Sequence, residues 1–215
     1  MVYPIWNTLV WSWYQLWVKK IEGIENIPQK GAFIVVLNHS SFYDIALSHG
    51  IIAKRLNRKI HPFVNSKFWK NIIAKNILDC GECIPVFVSG DKNSRDKNEK
   101  SMKLALKYLK KGDIISIFPE GKRSPDGVLG KAYNGAAKLS IASGAPILPV
   151  GIIESYKVLP KGALFPRFLR CRVKIGKPVY PSDFKLKRKK EKLADELTRV
   201  FMGEIAKMIG QKYIY

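Results

Sequence analysis

A histidine and an aspartate stand five positions apart, as His39 and Asp44, in a short segment that follows an apolar run. At about 100° per residue, the two side chains would diverge by roughly 140° on one continuous helix. They can meet only if His39 lies in a loop and Asp44 lies in the first turn of the next helix. A carboxylate bonded to an imidazole fixes its tautomer and stabilises its protonated form. We therefore interpret the pair as a dyad in which His39 could remove the proton of a substrate hydroxyl directly.

The same segment also allows a purely structural interpretation. It contains Ser41-Phe42-Tyr43-Asp44, which fits a helix-capping box with Ser41 at the N-cap and Asp44 three residues later. In that case Asp44 would cap the amino end of the helix, and His39 would be an ordinary loop residue. The segment alone leaves both interpretations open.

A second polar segment follows another apolar run and reads Phe118-Pro119-Glu120-Gly121-Lys122-Arg123-Ser124. Its glycine permits close backbone approach, and Lys122, Arg123 and Ser124 supply the donors that a phosphate monoester needs. Glu120 could orient these cations or hold an acceptor hydroxyl. A generic surface turn with proline and glycine is the alternative for this segment taken alone.

The elements that must position these segments follow from hydrophobic patterning. Apolar, β-branched runs predict strands at residues 32–37, 60–64, 83–88, 114–118, 147–153 and 171–175, with Pro85 favouring an edge or bulge position for the third. Helices are predicted at residues 42–53, 67–75, 95–111, 133–143 and 187–209. Strands that alternate with helices indicate an α/β fold, with a mostly parallel central sheet flanked by helices. In such sheets ligands bind beyond the carboxyl ends of strands, which is where His39 and Glu120 fall.

The composition, and above all the net charge, indicates which kind of partner the protein binds. The 215 residues include 38 lysines and arginines against 17 acidic residues, which gives a net charge of +21. So large a charge on one domain predicts a polyanionic partner, either an anionic membrane surface or a nucleic acid. The hydrophobic content of 47% is that of a folded chain rather than a disordered one. Three cysteines cannot form a disulfide framework, which favours a reducing compartment.

The first residues of the sequence favour a membrane surface over a nucleic acid as the partner. Residues 2–18 carry no charge and contain Trp6, Trp11, Trp13 and Trp17. As a helix this stretch would rise about 25 Å, short of the roughly 30 Å hydrocarbon core, and tryptophan prefers the headgroup boundary. We predict that residues 1–23 form an amphipathic anchor helix in the membrane interface, before a domain over residues 24–215. The alternative is a helix packed on the domain with its tryptophans facing the core.

Two later segments add further candidate contacts with a membrane. Residues 185–192 hold six basic residues and one acid, which suits either a polybasic contact with anionic lipid or a solvated helix start. Residues 165–172 interleave aromatic and aliphatic side chains with arginines. We interpret this second segment as a membrane-facing patch.

Together the two polar segments resemble the motifs of the glycerolipid acyltransferase family, in particular of its 1-acyl-glycerol-3-phosphate acyltransferases. Asn38, His39 and Asp44 match the family's Asn-His-x-x-x-x-Asp motif, and residues 118–124 match its Phe-Pro-Glu-Gly-x-Arg-Ser motif. Residues 145–150 look like the family's fourth motif, an apolar stretch with a proline before a strand. The resemblance covers roughly residues 24–155.

The resemblance implies an enzyme of phospholipid synthesis at the cytoplasmic face of the cell membrane. His39 would deprotonate the free hydroxyl of 1-acyl-glycerol-3-phosphate while Asp44 holds His39. The alkoxide would attack an acyl thioester of coenzyme A or of an acyl carrier protein, giving phosphatidic acid. The thioester is a co-substrate, and neither a cofactor nor a metal is implied. The residues implied to bind the acceptor are Asn38, Glu120, Gly121, Arg123 and Ser124.

The family's second motif is where the sequence departs from the pattern. That motif reads Gly-x-Ile-Pro-Val-x-Arg, and its arginine is linked to the phosphate of the acceptor. Residues 81–88 keep the Ile-Pro-Val core one residue further from the glycine, but Val88 stands where the arginine would fall. Arg95 could reach the phosphate from the next loop, or it could be a solvated helix start. Acylation of a different lysolipid therefore stays open.

Two interpretations in which the protein is not an enzyme also remain open from the sequence. One is a basic protein that binds a membrane or a nucleic acid, and the other is a lipid-transfer or tethering protein. The sequence contains no recognised nucleic-acid motif, however, and the tryptophans cluster in the predicted anchor. We therefore expect a lysophospholipid, an acyl thioester and an anionic membrane surface as partners, no nucleic acid, and a monomer.

Overall fold

The computed structural model describes residues 16–88, 91–160, 162–163, 165–184 and 190–215. Within these residues, seven strands form one sheet in the order β1-β7-β6-β2-β5-β3-β4. The strands are β1 (Val18–Glu22), β2 (Phe33–Leu37), β3 (Ile60–Asn65), β4 (Ile84–Val86), β5 (Ile114–Ile117), β6 (Ile147–Ile153) and β7 (Cys171–Ile175).

Helices occupy most of the connections between these strands. The α-helices are α1 (Tyr43–Ser48), α2 (Lys54–Leu56), α3 (Ile72–Cys80), α4 (Ser94–Lys110), α5 (Gly135–Ser143), α6 (Ser155–Val158) and α7 (Lys190–Ile209). A π-helical turn (His49–Ala53) joins α1 to α2, and 3-10 turns occupy Ile24–Asn26, Ser66–Lys70 and Pro181–Asp183.

The direction of the strands brings the two polar segments to the same edge of the sheet. β2 pairs in parallel with β5 and β6, and β3 pairs in parallel with β5 and β4. β7 is antiparallel to β6, and β1 runs parallel to β7. The predicted α/β fold with a mostly parallel central sheet is therefore confirmed. We call the edge at which β2 to β6 end the carboxyl edge, and β1 and β7 begin there.

The central strand β2 is buried on both faces and separates two apolar cores. Val35 and its neighbours on one face pack with Leu47 and the turn that follows α1. Ile34 and Val36 on the other face pack with helices α5 and α7. Alternate side chains of a strand point to opposite faces, so a continuous apolar run is what a strand in this position requires. The carboxyl end of β2 is thus fixed from both sides, directly before the first polar segment.

The beginning of the described chain corrects one expectation. Val18–Glu22 is not part of a helix but is strand β1, whose parallel partner is β7. The boundary predicted at residue 23 is therefore wrong, because residues 18–22 belong to the sheet of the domain. The rest of the predicted anchor, residues 1–15, lies outside the described residues. Among the described helices, none is both long and apolar enough to cross a membrane.

Two helix boundaries also differ from the prediction. The region predicted as one helix at residues 67–75 is a 3-10 turn, Ser66–Lys70, followed by α3. The break occurs at Asn71, whose side chain accepts hydrogen bonds from the backbone N–H groups of Ile73 and Ala74 and so caps a new helix. Similarly, the helix predicted at residues 42–53 is α1 continued by the π-helical turn. Of the two positions predicted for the strand with Pro85, an edge or a bulge, the structure shows the edge, because β4 is the last strand of the sheet.

Candidate active site

The loops after β2 and β5 are joined by direct hydrogen bonds at the carboxyl edge. The backbone N–H of Ser124 donates to the carbonyl oxygen of His39 over 2.8 Å. The backbone N–H of His39 in turn donates to Glu120 Oε1, also over 2.8 Å. Because β2 and β5 are adjacent and parallel, their loops leave the sheet side by side. The structure thus brings together residues that are about 80 positions apart in the sequence.

Asp44 is completely buried and holds the first loop through one oxygen. Its Oδ2 lies 2.9 Å from His39 Nδ1 and accepts hydrogen bonds from the backbone N–H groups of Ser40 and Ser41, at 2.7 and 2.8 Å. A carboxylate can only accept, so the proton between Asp44 and His39 belongs to Nδ1. That tautomer leaves the lone pair of His39 on Nε2. The predicted contact between His39 and Asp44 is therefore present.

The predicted capping arrangement is present in the same turn, with one difference. Helix α1 begins at Tyr43, so Phe42 rather than Ser41 is the N-cap residue. Ser41 still accepts a hydrogen bond from the N–H of Tyr43 with its hydroxyl oxygen and donates its own N–H to Asp44. Asp44 lies in the first turn, where the helix dipole favours a negative charge. The helix end and the dyad therefore use the same carboxylate.

The imidazole of His39 is held in place by an aromatic ring as well as by Asp44. It stacks on Phe118 with ring centroids 4.1 Å apart and an angle of 27° between the planes. The side chain of His39 retains 14% exposure, whereas that of Asp44 retains none. The ring is therefore fixed on two sides and still reachable from solvent on the remaining side.

Arg123 places a cation in the second loop. Its guanidinium carbon lies 3.5 Å from the centroid of the Phe42 ring, a cation–π contact that orients the planar group. The Nη1 atom is buried and has no hydrogen-bond partner among the described residues. A buried donor without a partner is costly in a folded protein, so the geometry suits an anionic ligand that supplies oxygen acceptors.

Glu120 has both carboxylate oxygens engaged with backbone. Oε1 accepts from His39, and Oε2 accepts from the N–H of Gly130 over 2.7 Å. The residue is buried, and burial raises the pKa of Glu120 above its ordinary value, although the two backbone N–H groups act in the opposite direction. The side chain therefore ties three stretches of backbone together rather than pointing its oxygens at the open side of the loops.

Asn38 and Ser124 are likewise engaged within the protein. The amide of Asn38 is buried, donates to the carbonyl of Ile152 in β6 and accepts from the N–H of the same residue. The Ser124 hydroxyl donates to Asp126 over 2.7 Å. Gly121 has a φ of +68°, and a Cβ atom there would meet the Tyr133 ring at 3.1 Å, so the turn requires glycine.

No described contact links Arg95 to the other residues of the candidate active site. It lies exposed in the first turn of α4, where its charge acts on Glu99. Val88, which stands at the position of the motif arginine, is 44% exposed and follows β4 at the outer edge of the sheet. The strands β3 and β5 separate β4 from β2, whose loop carries His39.

Sequence reasoning missed the two aromatic partners of the site. Phe42 supports Arg123, and Phe118, which also packs against an apolar core, supports His39. The sequence analysis gave neither ring a role of its own, although Phe42 lies in the first polar segment and Phe118 in the second. No group of three metal-binding side chains occurs in the part of the chain that the structure covers.

Comparisons with known proteins identify the family of the chain. A family model described as Acyltransferase matches residues 19–153. The chain is 29% identical over 205 residues to a chloroplastic 1-acyl-sn-glycerol-3-phosphate acyltransferase of Brassica napus, with 91% of this chain and 55% of that protein covered. It is 28% identical over 179 residues to a 1-acyl-sn-glycerol-3-phosphate acyltransferase of Bacillus subtilis, covering 81% of this chain and 80% of that protein.

A solved structure is similar over nearly the whole chain. The crystal structure of the 1-acyl-sn-glycerophosphate acyltransferase of Thermotoga maritima superimposes with a TM-score of 0.64 and 26% sequence identity. The match covers 95% of this chain and 77% of that one. The chain thus spans about half the length of the Brassica napus relative and about four fifths of the bacterial ones named here.

Proposed function

Since the chain belongs to the acyltransferase family, we propose that it moves a fatty acyl group from an acyl thioester to the free hydroxyl of 1-acyl-glycerol-3-phosphate. The product is phosphatidic acid, so the reaction belongs to phospholipid synthesis. The observation that carries the proposal is the His39–Asp44 contact beside the unpaired donor of Arg123. One group of this site activates a hydroxyl and the other attracts a phosphate, and the proposed acceptor contains both.

His39 is the proposed general base. Its Nδ1–H is bonded to Asp44, so Nε2 takes the proton of the acceptor hydroxyl as the oxygen attacks the thioester carbonyl. Asp44 stabilises the imidazolium that forms and keeps the ring in the productive tautomer. The tetrahedral intermediate then collapses, the carbon–sulfur bond breaks, and the imidazolium returns the proton to the departing thiolate. The products are phosphatidic acid and free thiol, and His39 is regenerated.

Arg123 is the proposed ligand of the acceptor's phosphate. A guanidinium presents several N–H donors in one plane, which matches two phosphate oxygens at once. Contact with Phe42 holds this plane in position before the ligand arrives. Both features support recognition of a phosphate monoester rather than of an uncharged glycerol.

Glu120, Asn38, Gly121 and Ser124 are proposed to position the site rather than to bind the acceptor through their side chains. Glu120 holds the backbone of His39, and Asn38 holds the end of β2 against β6. The turn at Gly121 and the bond from Ser124 to His39 keep the second loop beside the first. Each of these contacts maintains the distance between the base and the cation.

Acylation of another lysolipid is the second candidate for the acceptor. The observation that favours it is Val88, which leaves Arg123 without the second arginine of the family pattern. Arg95 is exposed on α4 and is a weaker candidate for that role than Arg123. An acceptor whose headgroup needs one cation would fit this site equally well.

We also propose that the chain acts as a monomer on the cytoplasmic face of the cell membrane. All groups of the site come from one chain. The donor is a coenzyme A or acyl carrier protein thioester, both of which are water-soluble, whereas the acceptor and the product are lipids. Support for membrane contact comes from the net charge of +21 and from Phe165 and Phe168, which are 81% and fully exposed beside Arg167 and Arg170.

An acceptor panel tests the function and the role of Arg123 together. Purified protein, a labelled acyl thioester and one of three acceptors are combined: lysophosphatidic acid, lysophosphatidylcholine and a monoacylglycerol. We expect transfer to lysophosphatidic acid and at least about a tenfold higher KM in Arg123→Lys, because a paired charge-assisted contact is lost. Arg199→Lys is the matched control, since it makes the same change at an exposed arginine of α7. Equal transfer to all three acceptors would contradict phosphate recognition, and no transfer to any would contradict the function.

A further inference from the structure

Helix α3 turns three isoleucines towards solvent. Ile72 and Ile73 are each 68% exposed and Ile77 is 53% exposed, and no residue of α3 is buried. At 100° per residue these three side chains fall within an arc of about 140°. Ala74 and Leu78, which are half-buried, lie on the other side of the helix. We call Ile72, Ile73 and Ile77 the isoleucine face.

Polar contacts hold α3 in place while leaving this face open. Asn71 caps the amino end of the helix by accepting from two backbone N–H groups at 3.0 Å. Near the other end, Asp79 accepts from Lys75 at 2.7 Å and from the indole N–H of Trp69 at 2.8 Å. The helix therefore has defined ends and side-chain ties. Its exposed apolar face is a feature of an ordered element rather than of a frayed one.

The turn that leads into α3 contacts an aromatic residue of the candidate active site. The 3-10 turn Ser66–Lys70 follows β3 at the carboxyl edge and leads directly into α3. Within that turn Phe68 meets Phe42, with ring centroids 6.2 Å apart. Phe42 is the ring on which the guanidinium of Arg123 rests. Two aromatic side chains thus connect the proposed phosphate ligand to the turn from which α3 begins.

A second exposed apolar segment lies on the other side of the site. Phe165 and Phe168 precede β7, which begins at the carboxyl edge. From β7 to β4 there are five strand spacings, about 24 Å at roughly 4.8 Å each. Exposed cations accompany both flanks, Lys67 and Lys70 next to α3 and Arg167 near Phe165. A lipid leaflet is an extended surface that is apolar inside and anionic outside, so it can contact both flanks at once.

We propose that the isoleucine face inserts into the outer part of an anionic lipid leaflet, so that α3 is a membrane-docking element separate from residues 1–15. The inference rests on the proposed function, because a lysophosphatidic acid acceptor resides in such a leaflet. Apolar side chains of an interfacial helix enter about 5–10 Å below the headgroups, while nearby lysines remain with the lipid phosphates. Docking in this way places the loops of His39 and Arg123 against the leaflet.

A fluorescent probe on the isoleucine face tests this proposal in the full-length chain. Cys80, the exposed cysteine, is replaced by serine, and a single new cysteine is introduced by Ile73→Cys. Burial raises the pKa of Cys83 and of Cys171 to about 12, so both stay protonated and react slowly with a thiol label. The matched control is Tyr180→Cys in the same background. Tyr180 is 45% exposed and follows β7, at the edge of the sheet opposite the candidate active site.

Each labelled protein carries a dye whose emission shifts to the blue in apolar surroundings. With vesicles of phosphatidylglycerol and phosphatidylcholine, we expect a blue shift at position 73, quenching by acyl-chain-linked quenchers, and no change at position 180. Unlabelled Ile73→Ser/Ile77→Ser should bind the vesicles at least about tenfold more weakly, because two apolar side chains no longer leave water. The thermal midpoint of this variant shows whether its fold is intact.

The docking proposal and the proposed function fail in different ways. Protein that floats with vesicles while the dye at position 73 stays in water would overturn the docking proposal. A dye at position 73 that is already blue-shifted without vesicles would also overturn it, since another part of the chain would then cover the face. Acyl transfer to lysophosphatidic acid in detergent micelles is measured in parallel with the unmodified protein. Its absence, together with a positive dye response, would overturn the proposed function alone.

Discussion

Asp44 shows why the two interpretations of the first polar segment need not compete. A capping residue and a catalytic partner are usually treated as alternatives, yet Oδ2 of this carboxylate makes the contacts that both roles require. It accepts the N–H groups of Ser40 and Ser41 at the start of α1, and it also lies against Nδ1 of His39. The bonds from backbone fix the carboxylate, and the fixed carboxylate orients the imidazole. The helix end is in this sense part of the proposed dyad.

Asp44→Asn separates the charge of this residue from its hydrogen bonds. The amide oxygen of asparagine can take the place of Oδ2 and keep the contacts with His39, Ser40 and Ser41, but the negative charge that stabilises the imidazolium is lost. We expect kcat to fall by about 10²- to 10⁴-fold with little change in the thermal midpoint. Steady-state kinetics and a melting curve on the same preparation measure both. An unchanged kcat would show that the charge of Asp44 does not support the base.

At the scale of elements, Glu120 connects loops that have no sheet hydrogen bonds of their own. Its two oxygens hold backbone N–H groups of the first loop and of Gly130. Glu120→Gln replaces one acceptor by a donor, which leaves one of these N–H groups without a partner. We expect the free energy of unfolding to fall by about 1–3 kcal/mol, measured by urea denaturation. Glu99→Gln, on the exposed side of α4, is the matched control and should change stability little.

The pH dependence of this effect has a defined sign. Burial raises the pKa of Glu120 in the folded protein above its ordinary value of 4.5. A group with a raised pKa stabilises the fold fully below its unfolded pKa and loses that contribution as pH rises through the folded value. The advantage of the native protein over Glu120→Gln should therefore be larger at pH 4 than at pH 7. Urea denaturation across this range measures it, and a larger advantage at pH 7 would contradict the assigned direction.

Sequence patterning predicted several strands closely, including β7, which alternates buried with more exposed residues and has its predicted bounds. β2, β5 and β6 were located almost to the residue, because strands buried on both faces need unbroken apolar runs. β1 was missed because Lys19 and Lys20 are exposed and its pairing partner, β7, is about 150 residues away. The start of α3 was missed because its apolar residues face solvent, so periodicity gave no core-facing stripe. The cap at Asn71 was the better signal.

The sequence predicted which residues of the two polar segments belong to the site, but not most of their contacts. His39, Asp44 and Arg123 were identified from residue type and spacing, and the two segments that carry them lie side by side because β2 and β5 are adjacent. The backbone engagement of Glu120 and Asn38 could not be predicted, since it depends on N–H and C=O groups whose positions no side-chain pattern encodes. Stacking on Phe42 is a similar case, because it depends on the geometry of two loops.

At the scale of the whole molecule, the net charge of +21 predicts an electrostatic component of membrane binding. Raising the salt concentration from about 0.05 to 0.5 M shortens the screening length severalfold and weakens attraction to anionic lipid. We expect binding to phosphatidylglycerol vesicles to weaken steeply with salt, while the weaker binding to pure phosphatidylcholine changes little. Vesicle flotation at several salt concentrations measures both. Salt-independent binding to the anionic vesicles would mean that apolar contacts alone hold the protein on the membrane.

The acyl-transfer rate of His39→Ala decides whether the imidazole is the base. We expect transfer from the thioester to lysophosphatidic acid to fall by at least about 10²-fold, because no other group described at the site is placed to take the hydroxyl proton. Vesicle binding and the thermal midpoint should stay close to those of the unmodified protein. Turnover at the normal rate by a folded, membrane-bound His39→Ala protein would contradict the proposed role of the imidazole.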